Sequence, residues 1–314
     1  MAELPTRPFG DSGIEVSILG LGCNNFGRRV DLAGTRAVVD AALEEGASFF
    51  DTADIYGGDG ASEALLGQVL SGRRDQVVLA TKFGMDMGDG RGPRGSRAYI
   101  LEEEEDSLAR LRTDVIDVYW YHEPDGVTPI AETLGALDEL VRAGKVRAIG
   151  ASNFSAAQIE EADEVAREQG LTRFEAVQNE YSLLVRDAER DVLPTCDRLG
   201  LAFIPYFPLA SGLLTGKYRR GEPPPAGTRL AGRDQVATDE QFELLDALSS
   251  FAQEREISML ELAIGGLLAR PAVASVIAGA TKPEQVHANA AAARWIPTDE
   301  DLAALDDLLG VAQR

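Results

Sequence analysis

Residues 115–150 read VIDVYWYHEPDGVTPIAETLGALDELVRAGKVRAIG and contain one complete strand–helix–strand unit. The outer segments, Val115–Tyr121 and Val146–Gly150, are mostly apolar and rich in β-branched or aromatic residues, which is typical of strands buried on both faces. The middle segment has the apolar spacing of a helix and then a glycine stop. Its pattern residues are Leu134, Leu137, Val141 and Gly144. Because a helix fits between the two strands, the unit predicts that they pair in parallel.

The same unit repeats along the chain and predicts eight strands. The predicted strands are Val16–Leu21, Ser48–Asp51, Val77–Thr81, Val115–Tyr121, Val146–Gly150, Ala176–Gln178, Ala202–Pro205 and Ala274–Ile277. A closed barrel and an open doubly wound sheet both accommodate such units, but the eight repeats favour the barrel. The glycines after the first strand lack the Gly-x-Gly-x-x-Gly spacing of an open dinucleotide-binding sheet. We therefore expect a single α/β domain over residues 1–314, a (β/α)₈ TIM barrel with an N-terminal β-hairpin around Asp11–Gly13 and an extra C-terminal helix.

The net charge of the chain excludes two classes of partner. The 314 residues include 30 basic and 52 acidic side chains, which gives a formal net charge of −22. A negative excess of this size repels nucleic acids and anionic lipids, so we expect no nucleic acid and no membrane as a partner. The longest apolar stretch, from Ile257 to Ala280, is interrupted by Glu261, Arg270 and Pro271. No segment therefore reaches the roughly 20 apolar residues that a membrane span needs.

Cysteine usage and the first residues indicate a cytoplasmic protein. Cys23 and Cys196 are far apart and lack the spacing of a metal site, so we expect neither a disulfide framework nor a bound metal. The N-terminal residues Glu3, Pro5 and Pro8 do not fit a signal peptide. We expect a cytoplasmic location, and the sequence leaves the oligomeric state open.

Three successive predicted strand ends carry side chains that suit catalysis. Strand two is followed by Asp51 and Tyr56, strand three by Lys82 and strand four by His122. Because the active site of a TIM barrel lies at the carboxyl ends of its strands, we expect these four side chains to converge. Each has a structural alternative when taken alone, such as a helix cap for Asp51 or a core position for His122. Their occurrence at successive strand ends favours a site.

Lysine usage points to the same end of the barrel. The chain has four lysines among its 30 basic residues, and the others are arginines. Lys82, Lys217 and Lys282 lie just past predicted strands three, seven and eight. A lysine ammonium has a pKa that its surroundings can tune, whereas an arginine stays charged. This placement indicates a proton-handling or anion-binding role for these lysines.

These residues resemble the catalytic tetrad of the aldo-keto reductase superfamily, and further segments match that family in order along nearly the whole chain. The matching segments are Asp51-Thr52-Ala53 with Tyr56, Thr81-Lys82, Tyr119 with His122, Gly150–Phe154, Val177–Tyr181, Pro208–Tyr218, and Gly279–Thr281 with Gln285 and Asn289. The chain departs from the family pattern at Phe207, Ala278 and Ala288, where serine, proline and glutamate are common. None of these departures touches the tetrad.

The resemblance implies an enzyme that reduces an aldehyde or ketone with NAD(P)H by direct hydride transfer. Tyr56 is expected to act as the general acid, with its pKa lowered by the Lys82 ammonium. Asp51 is expected to be the counter-charge of Lys82, because a lysine in a dry pocket otherwise loses its proton. His122 is expected to orient the carbonyl oxygen of the substrate.

The resemblance also implies a set of cofactor-binding residues. The set is Gly22, Ser152, Asn153, Gln178, Tyr206, Pro208, Leu209, Ser211, Gly212, Leu214, Lys217, Gly279, Thr281, Lys282, Gln285 and Asn289. Ser152, Asn153 and Gln178 are expected to hold the nicotinamide carboxamide, and Tyr206 is expected to stack on the ring or simply to pack the barrel. A hydroxyl and an ammonium at Thr281 and Lys282, before a helix, suit a 2′-phosphate. We therefore expect NADPH, with NADH possible.

One segment, Pro208–Asp239, is too long for a plain connection. Between Lys217 and Arg233 it has five basic residues and a single acidic one, Glu222. It is either an exposed insertion or a basic flap over an anionic ligand.

Nearby loops supply candidates for the substrate pocket, which are Asn24, Asn25, Phe26, Phe83, Met85 and Glu123. The loop arginines Arg91, Arg94 and Arg97 either attract an anionic substrate or are simply solvated.

Two other functions compete with a reductase. The first is a nicotinamide-binding regulatory relative that does not turn over substrate. The second is a barrel isomerase or aldolase that uses Lys82 as a Schiff-base amine. The isomerase or aldolase is disfavoured by the association of Asp51 with Tyr56 and by the Ser152-Asn153 and Gln178 motifs, since Schiff-base chemistry does not need them.

Overall fold

The computed structural model describes residues 3–233 and 235–310. A short antiparallel hairpin opens the chain and consists of β1 (Thr6–Pro8) and β2 (Glu15–Ser17). Eight parallel strands follow, namely β3 (Leu19–Gly22), β4 (Phe49–Asp51), β5 (Val78–Phe83), β6 (Ile116–Tyr121), β7 (Val146–Ser152), β8 (Ala176–Gln178), β9 (Ala202–Phe203) and β10 (Val276–Gly279). They pair in the order β10-β3-β4-β5-β6-β7-β8-β9.

Backbone hydrogen bonds join the two edges of this sheet. The amide of Phe203 donates to the carbonyl of Ala272 over 2.7 Å, and the amide of Ala274 donates back to Phe203 over 3.1 Å. Further along, the amide of Ile277 donates to the carbonyl of Pro205 over 3.3 Å. The last two strands are therefore neighbours, and the predicted (β/α)₈ barrel with its N-terminal hairpin is confirmed.

Ten α-helices surround the barrel within the described residues. They are α1 (Leu32–Glu45), α2 (Ala61–Val69), α3 (Arg97–Leu111), α4 (Ile130–Arg142), α5 (Ala156–Gln169), α6 (Val192–Leu199), α7 (Asp239–Glu254), α8 (Met259–Leu268), α9 (Pro283–Ala292) and α10 (Asp299–Leu308). One helix follows each barrel strand except β9, which is followed by α7 and α8, and β10, which is followed by α9 and α10. Helix α9 packs against both α8 and α1, which completes the outer ring. Helix α10 is the predicted extra C-terminal helix.

Local sequence signals account for several helix ends. Helix α5 begins at a capping box, in which the Ser155 side chain accepts from the Gln158 amide and the Gln158 side chain accepts from the Ser155 amide. It ends at Gly170, which has a φ of 65°, and α6 ends at Gly200, with a φ of 71°. Glycine adopts this left-handed conformation without steric cost, so it ends both helices.

The prediction of the first strand was wrong in its extent. Val16 and Ser17 belong to the hairpin, and the barrel strand begins at Leu19. The Ser17 hydroxyl donates to the Leu19 carbonyl over 2.7 Å and accepts from the Phe49 amide over 3.1 Å, which turns the chain from one sheet into the other. No glycine or proline separates Val16 from Leu19, so composition does not mark this boundary. The last strand likewise begins at Val276 instead of Ala274.

The hairpin closes the amino end of the barrel. The Phe9 ring is fully buried against the barrel interior, 5.6 Å from the Trp120 ring centroid and 6.2 Å from that of Phe49. Trp120 fills the space beside Gly150, where an added Cβ would lie 2.3 Å from the indole. The interior is therefore packed with side chains, as expected for this fold, and only the carboxyl end of the barrel is open.

None of the helices in the described part of the chain is both long enough and apolar enough to cross a membrane. Helix α8 has an apolar composition, with Leu262, Ile264 and Leu267 fully buried. Its 10 residues are only about half of what a bilayer requires. Its hydrophobicity is explained by packing against α9 and the barrel.

Candidate active site

A cavity of about 810 Å³ occupies the carboxyl end of the barrel. Asp51, Tyr56 and His122 lie on its wall. Lys82 has no exposed surface and lies behind Asp51 and Tyr56. The structure therefore brings the four predicted tetrad residues together, with three on the wall and one behind it. A cavity of this size, lined by apolar and a few polar groups, is typical of a small-molecule or cofactor site.

An ion pair between Lys82 and Asp51 is buried beneath the pocket floor. The Lys82 Nζ atom donates to Asp51 Oδ2, to the Thr52 carbonyl over 3.0 Å and, more weakly, to Tyr56 Oη over 3.5 Å. Burial disfavours the ammonium, but the Asp51 carboxylate and the hydrogen bonds to Asp51 and Tyr56 outweigh this effect and raise the pKa of Lys82. Lys82 is therefore charged at neutral pH, and Asp51 is the counter-charge that the sequence predicted.

Lys82 lowers the pKa of Tyr56, as predicted, but other effects outweigh it and the net pKa of Tyr56 is raised. Burial raises the pKa of the Tyr56 phenol above its ordinary value of 10.0, and the Lys82 charge offsets only part of this effect. The Asp51 carboxylate adds to the increase, since it disfavours a second negative charge nearby. The ion pair thus presents little net positive charge to the phenol, and Tyr56 is protonated at neutral pH.

His122 lies beside Tyr56, with the two rings edge to face and 5.8 Å between centroids. Its backbone amide donates to the Phe83 carbonyl over 2.8 Å, which fixes it at the end of β6. Burial, and then the Lys82 charge, lower the pKa of His122 well below its ordinary value of 6.5. The imidazole is therefore neutral at neutral pH and carries a single N–H.

Gln178 at the end of β8 connects the tetrad to the opposite side of the barrel. Its Nε2 atom donates to Asp51 Oδ1 over 3.0 Å. A carboxylate only accepts hydrogen bonds, so this contact assigns Nε2 toward Asp51 and leaves Oε1 as the acceptor for a ligand. Sequence reasoning had placed Gln178 at the nicotinamide carboxamide but had missed its contact with Asp51.

Asn153 has a comparable bridging position. Its φ of 60° is in the left-handed region, which asparagine tolerates better than most residues. Its Nδ2 atom donates to the His122 carbonyl over 2.9 Å, and its Oδ1 atom accepts from Tyr206 Oη over 2.7 Å. Asn153 therefore fixes the Tyr206 ring relative to His122, and both Asn153 and Tyr206 lie on the pocket wall.

The far end of the pocket is basic and includes the start of α9. Thr281 donates from its amide to Gln285 Oε1 over 2.7 Å, and Lys282 is the cap residue before Pro283. Lys217 lies close to Gly212, where an added Cβ would be 2.9 Å from the Lys217 Nζ atom. Cations beside a helix N-terminus form a favourable environment for phosphate groups.

Most of the predicted cofactor-binding residues line the pocket. Those on its wall are Gly22, Ser152, Asn153, Gln178, Tyr206, Leu209, Ser211, Gly212, Lys217, Gly279, Thr281, Lys282, Gln285 and Asn289. Pro208 and Leu214 are not on the wall, because both are buried against the protein. The structure does not support a direct side-chain contact between these two residues and a ligand.

The structure also places residues on the wall that sequence reasoning missed. Cys23 and Arg29 come from the loop after β3, and Phe207 follows Tyr206. Residues 226–229, in the middle of the long basic segment, form a further part of the wall. The segment therefore contributes to the pocket wall and is more than an exposed insertion. Its excess of basic residues was the signal that could have located Arg229.

The substrate-loop predictions had mixed outcomes. Asn24, Asn25 and Met85 line the pocket, whereas Glu123 is exposed away from its wall. Phe26 and Phe83 are fully buried, and Phe83 stacks on Tyr121 with 5.1 Å between ring centroids. Aromatic residues at strand ends serve the core as readily as a pocket, and spacing alone does not separate the two roles.

The loop arginines Arg91, Arg94 and Arg97 do not reach the pocket wall, because they form ion pairs with nearby carboxylates. Arg91 pairs with Asp89 and Glu103 at 2.7 and 2.6 Å. Arg94 pairs with the same Asp89 at 2.6 Å. Arg97 pairs with Glu139, also at 2.6 Å. The idea that these arginines attract an anionic substrate is therefore not supported.

Comparison with known proteins agrees with this geometry. A family model described as the aldo/keto reductase family matches residues 18–309. The chain belongs to the aldo/keto reductase family. The family is one of oxidoreductases that generally use NAD(P)H and act on small molecules.

Several curated proteins are similar to this aldo/keto reductase over almost its whole length. One is a probable voltage-gated potassium channel subunit beta from Oryza sativa subsp. japonica, 37% identical, with 93% of this chain and 92% of that protein covered. Another is the aldo-keto reductase YhdN of Bacillus subtilis (strain 168), 36% identical, with coverages of 95% and 92%. A third is the L-glyceraldehyde 3-phosphate reductase of Escherichia coli (strain K12), 34% identical, with coverages of 91% and 87%.

The buried ion pair yields a prediction for stability. Asp51→Asn leaves the Lys82 ammonium without a buried counter-charge, and Lys82→Met leaves the Asp51 carboxylate without one. We expect each change to lower the free energy of unfolding by about 3–5 kcal/mol. The double variant should lose clearly less than the sum, because neither charge then remains buried. Urea unfolding followed by circular dichroism measures all three losses.

The control for this cycle is Arg97→Gln, which removes the exposed pair with Glu139. We expect this change to cost less than about 1 kcal/mol, since solvent screens exposed ion pairs. Additive losses at Asp51 and Lys82 would mean that the two charges do not stabilise each other.

Proposed function

We propose that this aldo/keto reductase reduces an aldehyde or ketone to an alcohol with NADPH, and that Tyr56 is the general acid. One observation carries the proposal. Tyr56 and His122 lie side by side on the pocket wall, with the Lys82–Asp51 ion pair directly behind Tyr56. Two neutral hydrogen-bond donors at one point of the wall suit a carbonyl oxygen that gains negative charge.

The chemistry of the pocket wall fits a nicotinamide dinucleotide. Amide and hydroxyl groups of Ser152, Asn153 and Gln178 at the tetrad end suit a carboxamide. The Tyr206 ring, held by Asn153, suits the flat face of the nicotinamide. Lys217, together with the residues before α9, suits phosphates. When bound, the reduced nicotinamide supplies the hydride that adds to the carbonyl carbon.

Tyr56 supplies the proton in this scheme. Its raised pKa keeps the phenol protonated at neutral pH, so the acid form is always present. Transfer of the proton to an alkoxide is favourable even so, because an alkoxide is a much stronger base than a phenolate. The Lys82 ammonium, 3.5 Å from Tyr56 Oη, stabilises the phenolate that remains. The ion pair therefore acts at the moment of transfer, without acidifying the resting phenol.

His122 is proposed to orient the substrate. Its neutral imidazole donates one hydrogen bond, and the Nδ1 atom has no hydrogen-bond partner within the described part of the protein. A neutral donor can polarise the carbonyl without competing with Tyr56 for proton transfer. Its position on the pocket wall, edge to face with Tyr56, suits a donor that shares one substrate oxygen with Tyr56.

The geometry disfavours the Schiff-base alternative. A lysine that attacks a carbonyl must be accessible and uncharged. Lys82 has no exposed surface, is paired with Asp51 and has a raised pKa. Its Nζ atom therefore has neither the access nor the free lone pair that this reaction requires.

A regulatory role is the second candidate. It is favoured by the 37% identity to a protein described as a probable voltage-gated potassium channel subunit beta. A chain with this role would bind the nicotinamide and change its affinity for a protein partner, without needing turnover. Steady-state consumption of NADPH with 4-nitrobenzaldehyde distinguishes the two, since a purely regulatory protein would bind the cofactor and not consume it.

The role of Tyr56 predicts the effect of removing its hydroxyl. Tyr56→Phe should lower kcat by about 10²–10⁴-fold, the usual contribution of a general acid. The dissociation constant for NADPH, measured by fluorescence, should change by less than about twofold, because the ring still lines the pocket. Tyr99→Phe is the matched control, since its buried hydroxyl has no hydrogen-bond partner among the described residues and lies off the pocket wall. Retention of most activity in Tyr56→Phe would refute the assignment.

The pKa directions predict the pH profile of reduction. The protonated phenol is required, and it is lost only as the pH rises above its raised pKa, beyond about 10. The neutral imidazole is present everywhere above the lowered pKa of His122. The value of kcat/KM for 4-nitrobenzaldehyde should therefore be constant from about pH 6 to about pH 9. A break near pH 6.5, where an ordinary histidine titrates, would contradict the neutral state of His122.

The proposed choice of NADPH is tested at Lys282. Lys282→Gln removes one ammonium from the start of α9 and should raise the KM for NADPH by about fivefold to tenfold. The KM for NADH should stay nearly constant and serves as the internal control, since NADH lacks the 2′-phosphate. A wild-type preference for NADH in kcat/KM would overturn the proposed cofactor.

A further inference from the structure

A second group of buried ionisable side chains lies behind the tetrad, off the pocket wall. Three carboxylic residues, Asp54, Glu63 and Glu103, have no exposed surface. Asp54 belongs to the loop between β4 and α2, Glu63 to α2 and Glu103 to α3. None of the three lines the pocket, and none has a role in the proposed reduction. Carboxylates in a dry interior are costly unless cations or protons neutralise them.

Two arginines supply cations to this group, and both bind the glutamates. The Arg110 guanidinium lies 2.6 Å from Glu63 Oε2 and 2.5 Å from Glu103 Oε1. The Arg91 guanidinium lies 2.6 Å from Glu103 Oε2. The two arginines therefore neutralise the two glutamates and leave Asp54 without a cation.

The Asp54 side chain has the weakest partners of the three. It forms no ion pair within the described residues. Its Oδ1 atom accepts from the Ile55 amide over 2.7 Å, and its Oδ2 atom is buried without a hydrogen-bond partner. Two tyrosines lie within its electrostatic range, Tyr99 on α3 and Tyr119 on β6, and their buried hydroxyl groups also lack a partner there. A buried carboxylate with one neutral donor is costly, since nothing replaces the water that it has lost.

The groups around Asp54 favour its protonated form. Burial has the largest effect, and the charges of Glu103 and Glu63 add to it, so the pKa of Asp54 lies well above its ordinary value of 3.8. The Ile55 amide and the Arg110 charge favour the carboxylate but do not cancel these effects. Since the arginines are paired with the glutamates, a proton is the remaining means of neutralising Asp54.

Asp54 also connects two members of the tetrad. Its amide donates to the Lys82 carbonyl over 3.1 Å, which attaches the loop to β5 at that lysine. Its Oδ1 atom accepts from the amide of Ile55, the residue before Tyr56. Asp54 thus fixes the chain at Lys82 on one side and just before Tyr56 on the other. The Tyr56 hydroxyl lies 3.5 Å from the Lys82 Nζ atom.

We propose that Asp54 is a positioning residue that holds Tyr56 beside Lys82, and that it does so as a neutral carboxylic acid. Its effect on turnover rests on the proposed reductase function, whereas its bound proton does not. A neutral acid keeps the Oδ1 acceptor for the loop and places no further negative charge behind the Lys82–Asp51 ion pair. A carboxylate there would disfavour the phenolate that Tyr56 forms in the reaction.

Substitutions of Asp54 test the positioning role. Asp54→Asn keeps the shape and the Oδ1 acceptor and carries no charge, so its kcat with NADPH and 4-nitrobenzaldehyde should stay within about twofold of wild type. Asp54→Ala removes the acceptor and should lower kcat by about tenfold, which corresponds to one hydrogen bond. Asp54→Leu, of similar volume to aspartate, is the second variant without the acceptor and serves if the alanine protein does not fold.

The dissociation constant for NADPH should change by less than about twofold in all three variants, because Asp54 lies off the pocket wall. Wild-type kcat in the variants without the acceptor would refute the positioning role. An equal loss of kcat in Asp54→Asn and Asp54→Leu would show that the negative charge is needed, and would refute the neutral acid.

The proton on Asp54 is measured without turnover. An unfolded aspartate ionises at about pH 3.9, whereas folded wild type should keep this proton well above that pH. The unfolded state then binds one proton fewer, so wild-type stability should fall relative to that of Asp54→Asn as the pH rises. The expected loss in the folding equilibrium constant is about tenfold per pH unit between about pH 5 and about pH 7. Urea unfolding at each pH measures it.

Asp59→Asn is the matched control for this measurement. Asp59 is an exposed carboxylate of the same loop, so its loss removes one acidic group without touching the buried cluster. We expect this variant and wild type to have parallel stability curves. Infrared difference spectra give a second readout, since the C=O stretch of a protonated carboxyl group should be present in wild type at neutral pH and absent from Asp54→Asn. Parallel curves for wild type and Asp54→Asn, without this band, would overturn the neutral acid.

Failure of the reductase proposal would be distinguishable. If wild type reduces no aldehyde, that proposal fails, but the stability curves and the infrared band still decide the protonation of Asp54. Crystal structures then decide the positioning role. A distance between Lys82 Nζ and Tyr56 Oη that exceeds 3.5 Å in Asp54→Leu and not in Asp54→Asn would support it. An unchanged distance in both variants would refute it.

Discussion

The site depends on the ion pair between Lys82 and Asp51. Two opposite charges are stable away from water only when they are paired and their remaining hydrogen-bonding atoms are satisfied. The Thr52 carbonyl accepts a hydrogen bond from the ammonium. Gln178, on the opposite side of the barrel, donates a hydrogen bond to the carboxylate. The two charges come from the adjacent strands β4 and β5. The register places Asp51 opposite Ala80, which lies two residues before Lys82. Closure of the barrel therefore makes this arrangement possible.

The same pair sets the protonation of its neighbours. The ammonium helps to keep His122 neutral, whereas the carboxylate cancels much of the effect of the ammonium on Tyr56. Both groups are consequently neutral donors at physiological pH. In the proposed mechanism, this ion pair would stabilise a transient phenolate without creating a permanent one. Burial of Tyr56, together with the Asp51 carboxylate, explains why the pKa of the resting phenol is not lowered although the cation is close.

Positively charged side chains lie at two separate positions along the pocket. The closed amino end of the barrel, sealed by Phe9, leaves one open face, and cations without a carboxylate partner among the described residues lie at two positions around it. Lys217 and Lys282 lie toward α9, and Arg29 and Arg229 lie toward Tyr56. In a protein with a net charge of −22, such zones are local, because the acidic surface around them confines their field.

The sequence by itself determined the barrel and the identity of the tetrad, because strand and helix periods are local and barrel strand ends share one face. It did not mark the boundary at Ser17, since no glycine or proline separates the hairpin from the first strand. Only the tertiary structure decided that Lys82 lies behind the wall, that Gln178 holds Asp51, that burial outweighs Lys82 at Tyr56 and that Arg229 reaches the pocket wall. These properties depend on burial and on contacts between residues far apart in the chain, and no local pattern encodes them.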